Sequence, residues 1–226
     1  MARQTFQDWE LVVVDDGSTD GSDEIAKRAV MADEYGRVFY ARPLDGEHIG
    51  LAKTLNVGVK CASGSLIARL DADDLMATTR LEQQVQYMAE HPDVGLLGTA
   101  VMLMNERGFW EGVDVPPLTD DGIRRAMPYV NPFRHPSVVF RLDVFDRAGG
   151  YDPSFPVAQD WDLWTRMAPL TQMANLPEPL TFRRQHPEQV SARRAKARRL
   201  AEARIRWRQG NVLGAVRARL MAAVRG

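Results

Sequence analysis

Cysteine, long apolar runs and an N-terminal leader are scarce or absent in this sequence of 226 residues. The one cysteine, Cys61, has no partner for an intramolecular disulfide, which is typical of a protein from a reducing compartment. The longest apolar run, residues 96–104, is too short to span a bilayer. The first residues contain no apolar stretch of the kind found in a secretory signal. We therefore expect a soluble, cytoplasmic protein.

Composition and length exclude several further classes. Hydrophobic residues make up 45% of the chain and charged residues 26%, which excludes collagen-like, low-complexity and fully disordered chains. A chain of 226 residues suffices for one domain of ordinary size, with or without an appendage. A core of that size folds without a disulfide or a metal. The sequence shows no internal repeat, so one globular body is expected.

Apolar runs and helical spacings alternate through roughly the first 90 residues. Residues 10–16, ELVVVDD, form an unbroken apolar run that ends in two acids and predicts a buried parallel strand. Further strands are predicted at 38–41 and 66–70, with helices between and after them. This alternation predicts an α/β fold with a mainly parallel, doubly wound sheet. The less regular second half predicts strands at 94–104 and 137–141, a helix around 163–167 and a late edge strand at 177–182.

Acidic clusters close two of these apolar strands. Two acids follow the first strand, and Asp71, Asp73 and Asp74 follow the strand at 66–70. In an open parallel sheet, the carboxyl ends of the strands face the ligand crevice. Asp71 and Asp73 project to the same side, and like charges that close are costly unless a cation or protons neutralise them. The cluster predicts either a Mg²⁺ or Mn²⁺ site that bridges to a diphosphate, or a solvated turn that caps the next helix.

Seven sequence blocks carry a resemblance to a known family. They are QTFQDWELVVVDDGSTDGS (4–22), GLAKTLN (50–56), GSLIARLDADD (64–74), HPSVVFR (135–141), GGYD (149–152), DWDLW (160–164) and RQHPEQVS (184–191). In this order and spacing they resemble glycosyltransferase family 2, the inverting enzymes of the GT-A fold, over residues 3–191. No single block is specific, but the ordered set is.

The resemblance implies a function and a donor site. The function is transfer of a sugar from a nucleotide sugar to a hydroxyl acceptor during cell-surface polysaccharide or glycolipid synthesis. The donor that we expect is a UDP-sugar. Asp71 and Asp73 resemble the family's DxD motif, with Asp73 as the direct ligand of Mn²⁺ or Mg²⁺ and His186 as a further metal or diphosphate contact. Asp16 resembles the aspartate that contacts the uracil ring, or else it caps a helix. Asp74 would support the metal ligands or contact the ribose.

The resemblance also implies an acceptor side. Asp160 is the candidate general base, because an inverting transfer needs one carboxylate beside the attacking hydroxyl. Asp162, two residues further on, is the weaker candidate. His135, Gly150 and Asp152 are expected to line or shape the side that holds a saccharide or lipid-linked acceptor. For His135, a structural turn histidine is an equally good interpretation.

Two departures from the family pattern keep another function open. The family's first strand, which helps to hold the nucleotide base, is missing, so we expect a GT-A domain truncated at its N-terminus. Gln159 stands where the family has a glutamate beside the base. The alternative is therefore a non-catalytic GT-A remnant that serves as a binding or interaction module. A nucleotidyltransferase is a weaker rival, because the sequence lacks a glycine-rich phosphate loop with basic residues.

The near-zero net charge of −1 conceals an acidic body and a basic tail. Residues 192–226 contain 11 basic residues and one acidic residue, whereas the rest of the chain contains 18 and 29. We assign 1–191 to the GT-A domain and 192–226 to a basic amphipathic helical tail. The tail could bind an anionic membrane surface, bind nucleic acid, or pack as a helical lid or oligomer arm. We favour the inner face of the membrane and expect no nucleic acid.

Overall fold

The first half of the chain alternates strand and helix. The computed structural model describes residues 1–42, 48–185, 197, 199–208 and 210. Its first elements are β1 (Leu11–Val14), α1 (Ser22–Met31), β2 (Val38–Ala41), α2 (Leu51–Cys61), β3 (Leu66–Ala68), β4 (Leu75–Met76) and α3 (Arg80–Glu90). The predicted acidic cluster therefore lies in the short connection between β3 and β4.

The second half adds the longest strands. Its elements are β5 (Val94–Met104), β6 (Trp110–Asp114), α4 (Asp120–Ala126), a 3-10 turn (His135–Ser137), β7 (Val139–Arg141), α5 (Leu142–Arg147), α6 (Gln159–Met167) and β8 (Gln172–Arg184). Residues 199–208, called the C-terminal helix below, are also helical. Among the described helices, none is long and apolar enough to cross a bilayer.

The strands form two sheets. β1 and β2 pair in parallel as a two-stranded sheet, and the larger sheet has the order β3-β7-β5-β8-β4, with β6 on β5. β5 and β8 are parallel, and the other pairings of the larger sheet are antiparallel. The predicted α/β class is confirmed. Every antiparallel pair includes a strand of the less regular second half, and two of them, β3–β7 and β4–β8, join it to a strand of the first half, so β3 is not part of a parallel pairing.

One strand prediction was wrong. The segment 177–182 belongs to β8, which pairs with β5 on one side and β4 on the other and so is not an edge strand. Its two prolines, Pro177 and Pro179, have no N–H to donate to a ladder. The β5–β8 register shifts at that point, between Thr99 and Ala100, so the ladder passes the prolines through an irregularity instead of ending there.

The core lies between the larger sheet and helices α4, α5 and α6. Leu96 of β5, Phe140 of β7 and Trp164 of α6 are fully buried in it. The rings of Phe133 and Trp164 meet edge to face at 5.8 Å. The C-terminal helix contributes two buried side chains to this core, Ala201 and Ile205. The described part of the basic tail therefore packs against the body.

A buried arginine ties the acidic connection to the rest of the sheet. Arg80 of α3 is completely buried and donates hydrogen bonds to the backbone oxygens of Arg69, Pro136 and Val138. Its Nε also donates to Gln84 at 2.9 Å. Burial lowers the pKa of Arg80 to about 9, so it stays protonated near neutral pH. These bonds fix the strand that precedes the acids relative to the 3-10 turn.

Candidate active site

The acidic connection after β3 folds back as a tight turn. The backbone N–H of Asp74 donates to the carbonyl of Asp71 at 3.2 Å. The Oδ1 atom of Asp74 accepts a hydrogen bond from the backbone N–H of Arg184 at 2.8 Å, and its buried Oδ2 has no protein partner. Burial raises the pKa of Asp74 to about 6, and the neighbouring charges of Asp71 and Asp73 add to the effect. The turn thus concentrates negative charge.

Asp71 stays ionised because cations surround it. Its carboxylate forms an ion pair with Arg69. Burial acts to raise the pKa of Asp71, but Arg69, His135 and Arg183 outweigh it, so the pKa lies below its usual value. A carboxylate held in the charged form is available as a ligand for a cation.

The donor set fits a divalent metal that is shared with a bound diphosphate. Within the described ranges, no group of three or more His, Cys, Asp or Glu side chains is arranged to hold a metal on its own. His186 lies outside the described residues. Mg²⁺ is usually bound by one or two carboxylates together with substrate phosphates, a set that Asp71 and Asp73 would complete. The unpartnered oxygen of Asp74 is a further sign of charge that a cation would offset.

The two acids at the start of α6 have different surroundings. The Oδ2 atom of Asp160 accepts a hydrogen bond from Nδ2 of Asn131 at 2.6 Å. Asp162 is buried, and both of its oxygens contact cations: Oδ1 lies 2.8 Å from Arg208 and Oδ2 lies 2.8 Å from Arg166. An acceptor hydroxyl would have to displace one of these guanidinium groups to reach Asp162. The geometry therefore favours Asp160 over Asp162 as the base.

His135 lies between the acidic turn and α6. Its Nε2 is 2.9 Å from the hydroxyl of Tyr151. Burial and the charge of Arg69 lower the pKa of His135 to about 4, although Asp160 and Asp71 act in the opposite direction. The histidine is therefore neutral at pH 7. Because Asp71 and Asp160 both act on the same ring, the fold brings the candidate metal site and the candidate base into one region.

The Gly149–Gly150 pair needs glycine for steric reasons. Both residues have positive φ angles, 82° and 68°. A Cβ atom on Gly150 would lie 3.0 Å from Oδ1 of Asn56. That same oxygen accepts the backbone N–H of Tyr151 at 3.0 Å, and Nδ2 of Asn56 donates to the Tyr151 carbonyl at 2.8 Å. The loop backbone therefore passes close to the side chain of Asn56.

Asp152, which follows this loop, has charged neighbours. Its Oδ1 accepts the backbone N–H of Ser154 at 2.9 Å, and its Oδ2 lies 3.5 Å from Arg208. Burial acts to raise the pKa of Asp152, but Ser154, Arg208 and Arg204 lower it below the usual value. Asp152 is thus an ionised carboxylate, and its contacts in the described residues include a cation of the C-terminal helix.

The two acids at the end of β1 also differ. Asp15 is buried and accepts hydrogen bonds from Ser18 and from the Tyr40 hydroxyl. Asp16 accepts the backbone N–H groups of Ile49 at 2.8 Å and Gly50 at 3.2 Å, one on each oxygen. These bonds join the end of β1 to the segment that precedes α2. Oδ2 also lies 2.8 Å from Nδ1 of His48, so a further donor would have to use the second lone pair of Oδ1.

Sequence reasoning missed two polar residues of this region. Asn131 orients Asp160, and Arg183 lies close enough to Asp71, Asp74 and Asp114 to lower the pKa values of these acids. The pair Arg183–Arg184 at the start of the last common block was a visible signal. Both act on the acidic turn, since Nε of Arg184 donates to the carbonyl of Asp73 at 3.2 Å and the charge of Arg183 acts on Asp71 and Asp74, which could not be read from the sequence.

Comparisons with known proteins identify the family. The model of the family described as "Glycosyl transferase family 2" matches residues 1–148 of this chain. The amylovoran biosynthesis glycosyltransferase AmsE of Erwinia amylovora is 37% identical over 153 residues, which are 67% of this chain and 56% of AmsE. The O-antigen biosynthesis glycosyltransferase WbnJ of Escherichia coli is 33% identical over 188 residues, which are 81% of this chain and 71% of WbnJ. The chain thus spans just over half the length of AmsE.

Solved structures share the fold. TarS 1-349 of S. aureus in complex with UDP has a TM-score of 0.65 at 20% identity, over 83% of this chain and 55% of that one. The mannosyltransferase PcManGT of Pyrobaculum calidifontis, in complex with GDP-Man and Mn²⁺, has a TM-score of 0.59 at 22% identity, over 80% of this chain and 50% of that one. These similarities confirm the predicted GT-A fold. With the match to its first 148 residues, they show that the chain belongs to glycosyltransferase family 2.

Proposed function

We propose that this chain is a metal-dependent, inverting glycosyltransferase. It would transfer a sugar from a UDP-sugar to a hydroxyl of a saccharide or lipid-linked acceptor in cell-surface polysaccharide or glycolipid synthesis. The observation that supports the proposal most is that Asp71 and Asp160 both act electrostatically on the ring of His135, as expected if the candidate metal ligand and the candidate base share one site. The named relatives AmsE and WbnJ, which act in amylovoran and O-antigen biosynthesis, support the assignment of the pathway class.

On the donor side, Asp71 and Asp73 would hold Mn²⁺ or Mg²⁺ against the diphosphate, and His186 would add a contact. When bound, the metal offsets charge on the departing nucleoside diphosphate. Arg183, which faces the same acids, would contact a phosphate oxygen. Asp16 would accept a hydrogen bond from the nucleotide base. The complexes of TarS with UDP and with UDP-GlcNAc support a uridine donor.

On the acceptor side, Asp160 would remove the proton of the attacking hydroxyl. As that oxygen bonds to the anomeric carbon, the bond from the carbon to the diphosphate oxygen breaks, and the configuration inverts in one step. The proton ends on the carboxylate of Asp160, and no covalent enzyme intermediate forms. Asn131 holds the second oxygen of Asp160, while His135, Gly150 and Asp152 would shape the acceptor pocket.

Replacement of the base tests this mechanism. Asp160→Asn keeps the shape of the side chain and can still pair with Asn131, but it cannot accept a proton. Turnover in a panel of UDP- and GDP-sugars should fall by roughly 10²-fold or more, and the affinity for UDP should stay unchanged. The control is Asp143→Asn, an exposed acid of α5. Full activity of Asp160→Asn would contradict the assigned role.

Removal of the metal tests the donor site separately. Titration calorimetry with UDP should show binding in Mn²⁺, little binding after chelation with EDTA, and a weaker affinity in Asp73→Ala. Equal binding with and without metal would overturn the metal role. Metal-dependent UDP binding without turnover of any sugar in the panel would instead support the alternative, a non-catalytic binding module. Gln159, which is buried in place of an acid, is the observation that favours that alternative.

We also propose that the tail brings the protein to the inner face of a membrane. The inner face of the C-terminal helix packs on the body, but Leu200 and Trp207 on its outer face are 66% and 69% exposed. Exposed apolar and aromatic side chains among arginines are typical of helices that lie on anionic lipid. Binding to vesicles of anionic lipid should weaken with salt and with Trp207→Ser. If the protein does not sediment with the vesicles, or if salt does not change the amount that sediments with them, this proposal is wrong.

A further inference from the structure

The C-terminal helix contacts both ends of the segment that carries the candidate base. Nη1 of Arg208 lies 2.8 Å from Oδ1 of Asp162, within the first turns of α6. The same nitrogen lies 3.5 Å from Oδ2 of Asp152, in the loop before α6. One guanidinium therefore joins two carboxylates that flank Asp160 on either side along the chain.

Further contacts dock the helix at the same place. The guanidinium of Arg204 lies over the ring of Phe155 at 4.3 Å, and its Nη1 donates to the carbonyl of Ser154 at 3.3 Å. Ala201 and Ile205 are buried in the core below. Because apolar and polar contacts act together, the position of Arg208 is set by the packed helix and not by its two ion pairs alone.

The segment between the two anchors contains a strained residue. Ala158 has φ 57°, and it is the one residue other than glycine with a positive φ in the described part of the chain. An alanine in this conformation costs free energy and persists only where the surroundings hold it. Asp160 follows two residues later, in the first turn of α6. A strained backbone beside a functional side chain needs contacts on both sides to keep its geometry.

The charges of the segment 152–162 indicate why its position depends on Arg208. Asp152, Asp160 and Asp162 place three carboxylates on one short segment, and among the described residues the acid that pairs with Arg166 is Asp162. Without Arg208, the repulsion between Asp152 and the acids of α6 would push the loop away from the helix. The side chain of Arg208 is long and forked, so it can bridge two acids where a lysine presents a single point charge.

We propose that Arg208 is a positioning residue that holds Asp160 in place by joining Asp152 to Asp162. The proposal rests on the proposed role of Asp160 as the base. Arg208 contacts no reacting atom in this arrangement, and its effect passes through the segment 152–162. The C-terminal helix is accordingly part of the acceptor side of the site, in addition to any role in binding lipid.

Hydrogen–deuterium exchange tests the positioning directly and needs no substrate. Arg208→Met keeps the apolar stem beside Phe155 and removes the charge, and Arg199→Met removes one charge from the exposed side of the same helix as the matched control. We expect faster exchange in residues 152–162 of Arg208→Met than of Arg199→Met, without a comparable change in β5 and β8, even though the loss of one partner of the buried Asp162 lowers the melting temperature. If Arg208→Met does not fold, Arg208→Lys takes its place. Equal exchange in the variant and the control would overturn the proposal.

Kinetics tests whether the positioning matters for the reaction. With a nucleotide sugar that the wild-type protein turns over, Arg208→Met should lower kcat by roughly 10-fold or more, because small displacements of a reacting group are costly. The affinity for UDP should stay unchanged, and Arg208→Lys should restore part of the kcat. A kcat equal to that of Arg199→Met would overturn the proposal. If the wild-type protein turns over no donor, the proposed function fails, and the exchange comparison alone decides the role of Arg208.

Discussion

Asp162 should behave as a structural acid, in contrast to Asp160, its neighbour two residues earlier. Asp162→Asn removes the charge that Arg166 and Arg208 share. Nε of Arg166 donates to Oδ2 of Asp162 at 2.9 Å, and Nη1 of Arg208 donates to Oδ1 at 2.8 Å. An asparagine offers one acceptor oxygen, and its amide group would face the other guanidinium donor to donor. The substitution therefore breaks one charged hydrogen bond and weakens the other.

The magnitude follows from the burial of the three groups. Loss of one partner of a buried ion pair costs about 3–5 kcal/mol. The side chain of Asp162 is 1% exposed, but those of Arg166 and Arg208 are 28% and 37% exposed, so water can solvate both arginines after the change. The expected loss in the free energy of unfolding is therefore at the lower end, about 3 kcal/mol. For a chain of this size, the melting temperature should fall by roughly 6–12 °C.

Thermal unfolding followed by circular dichroism measures this loss. The matched control is Asp143→Asn, which breaks an exposed ion pair with Arg147 at 3.7 Å and should cost at most about 1 kcal/mol. Asp160→Asn should also leave the melting temperature nearly unchanged while it abolishes turnover. The assignment of the two acids is wrong if Asp162→Asn has the same melting temperature as Asp143→Asn, or if Asp160→Asn has a lower melting temperature than Asp162→Asn.

Two further predictions concern the loop and the histidine of the site. In urea unfolding, Gly150→Ala should lower the free energy of unfolding by at least about 1 kcal/mol more than Gly108→Ala. Both glycines have a positive φ, but of the two only Gly150 has neighbours, among them Asn56, within 4 Å of the new methyl group. Since the pKa of His135 is lowered to about 4, the unfolded chain binds a proton more tightly than the folded chain between about pH 6.5 and 4. The free energy of unfolding of the wild-type protein should therefore fall by up to about 3 kcal/mol as the pH falls through that range, and that of His135→Asn should fall clearly less. If the urea midpoints of the two proteins change with pH in the same way, this explanation is wrong.

Most of the first half could be predicted from the sequence, because its signals are local. The unbroken apolar run at residues 11–14 predicted a buried parallel strand; β1 does pair in parallel with β2, but its residues are half-buried, because this sheet has two strands only among the described residues. The Gly149–Gly150 pair likewise indicates backbone that lies close to another part of the protein, because glycine has no side chain to prevent the approach. The family resemblance rests on blocks of this kind, and the match to residues 1–148 confirmed it.

The second half was harder because its roles depend on distant partners. Pro177 and Pro179 lie inside a long strand because the β5–β8 ladder shifts its register there, which proline content alone cannot show. The resemblance ranks Asp160 above Asp162 as the base but gives no physical reason for the difference. The fold supplies one, because it brings Asn131 to the first acid and Arg208 to the second.

The sequence by itself determined the family, the α/β class and the two acidic strand ends, since each follows from residue type and spacing along a short stretch of chain. Only the tertiary structure decided which of Asp160 and Asp162 is paired with arginines, which side chains lie near the acidic turn after β3, and where the described part of the basic tail lies. The physical reason is that the charge state and orientation of a side chain are set by neighbours in space. Arg208 and Asp162 are 46 residues apart along the chain, yet 2.8 Å separates their polar atoms.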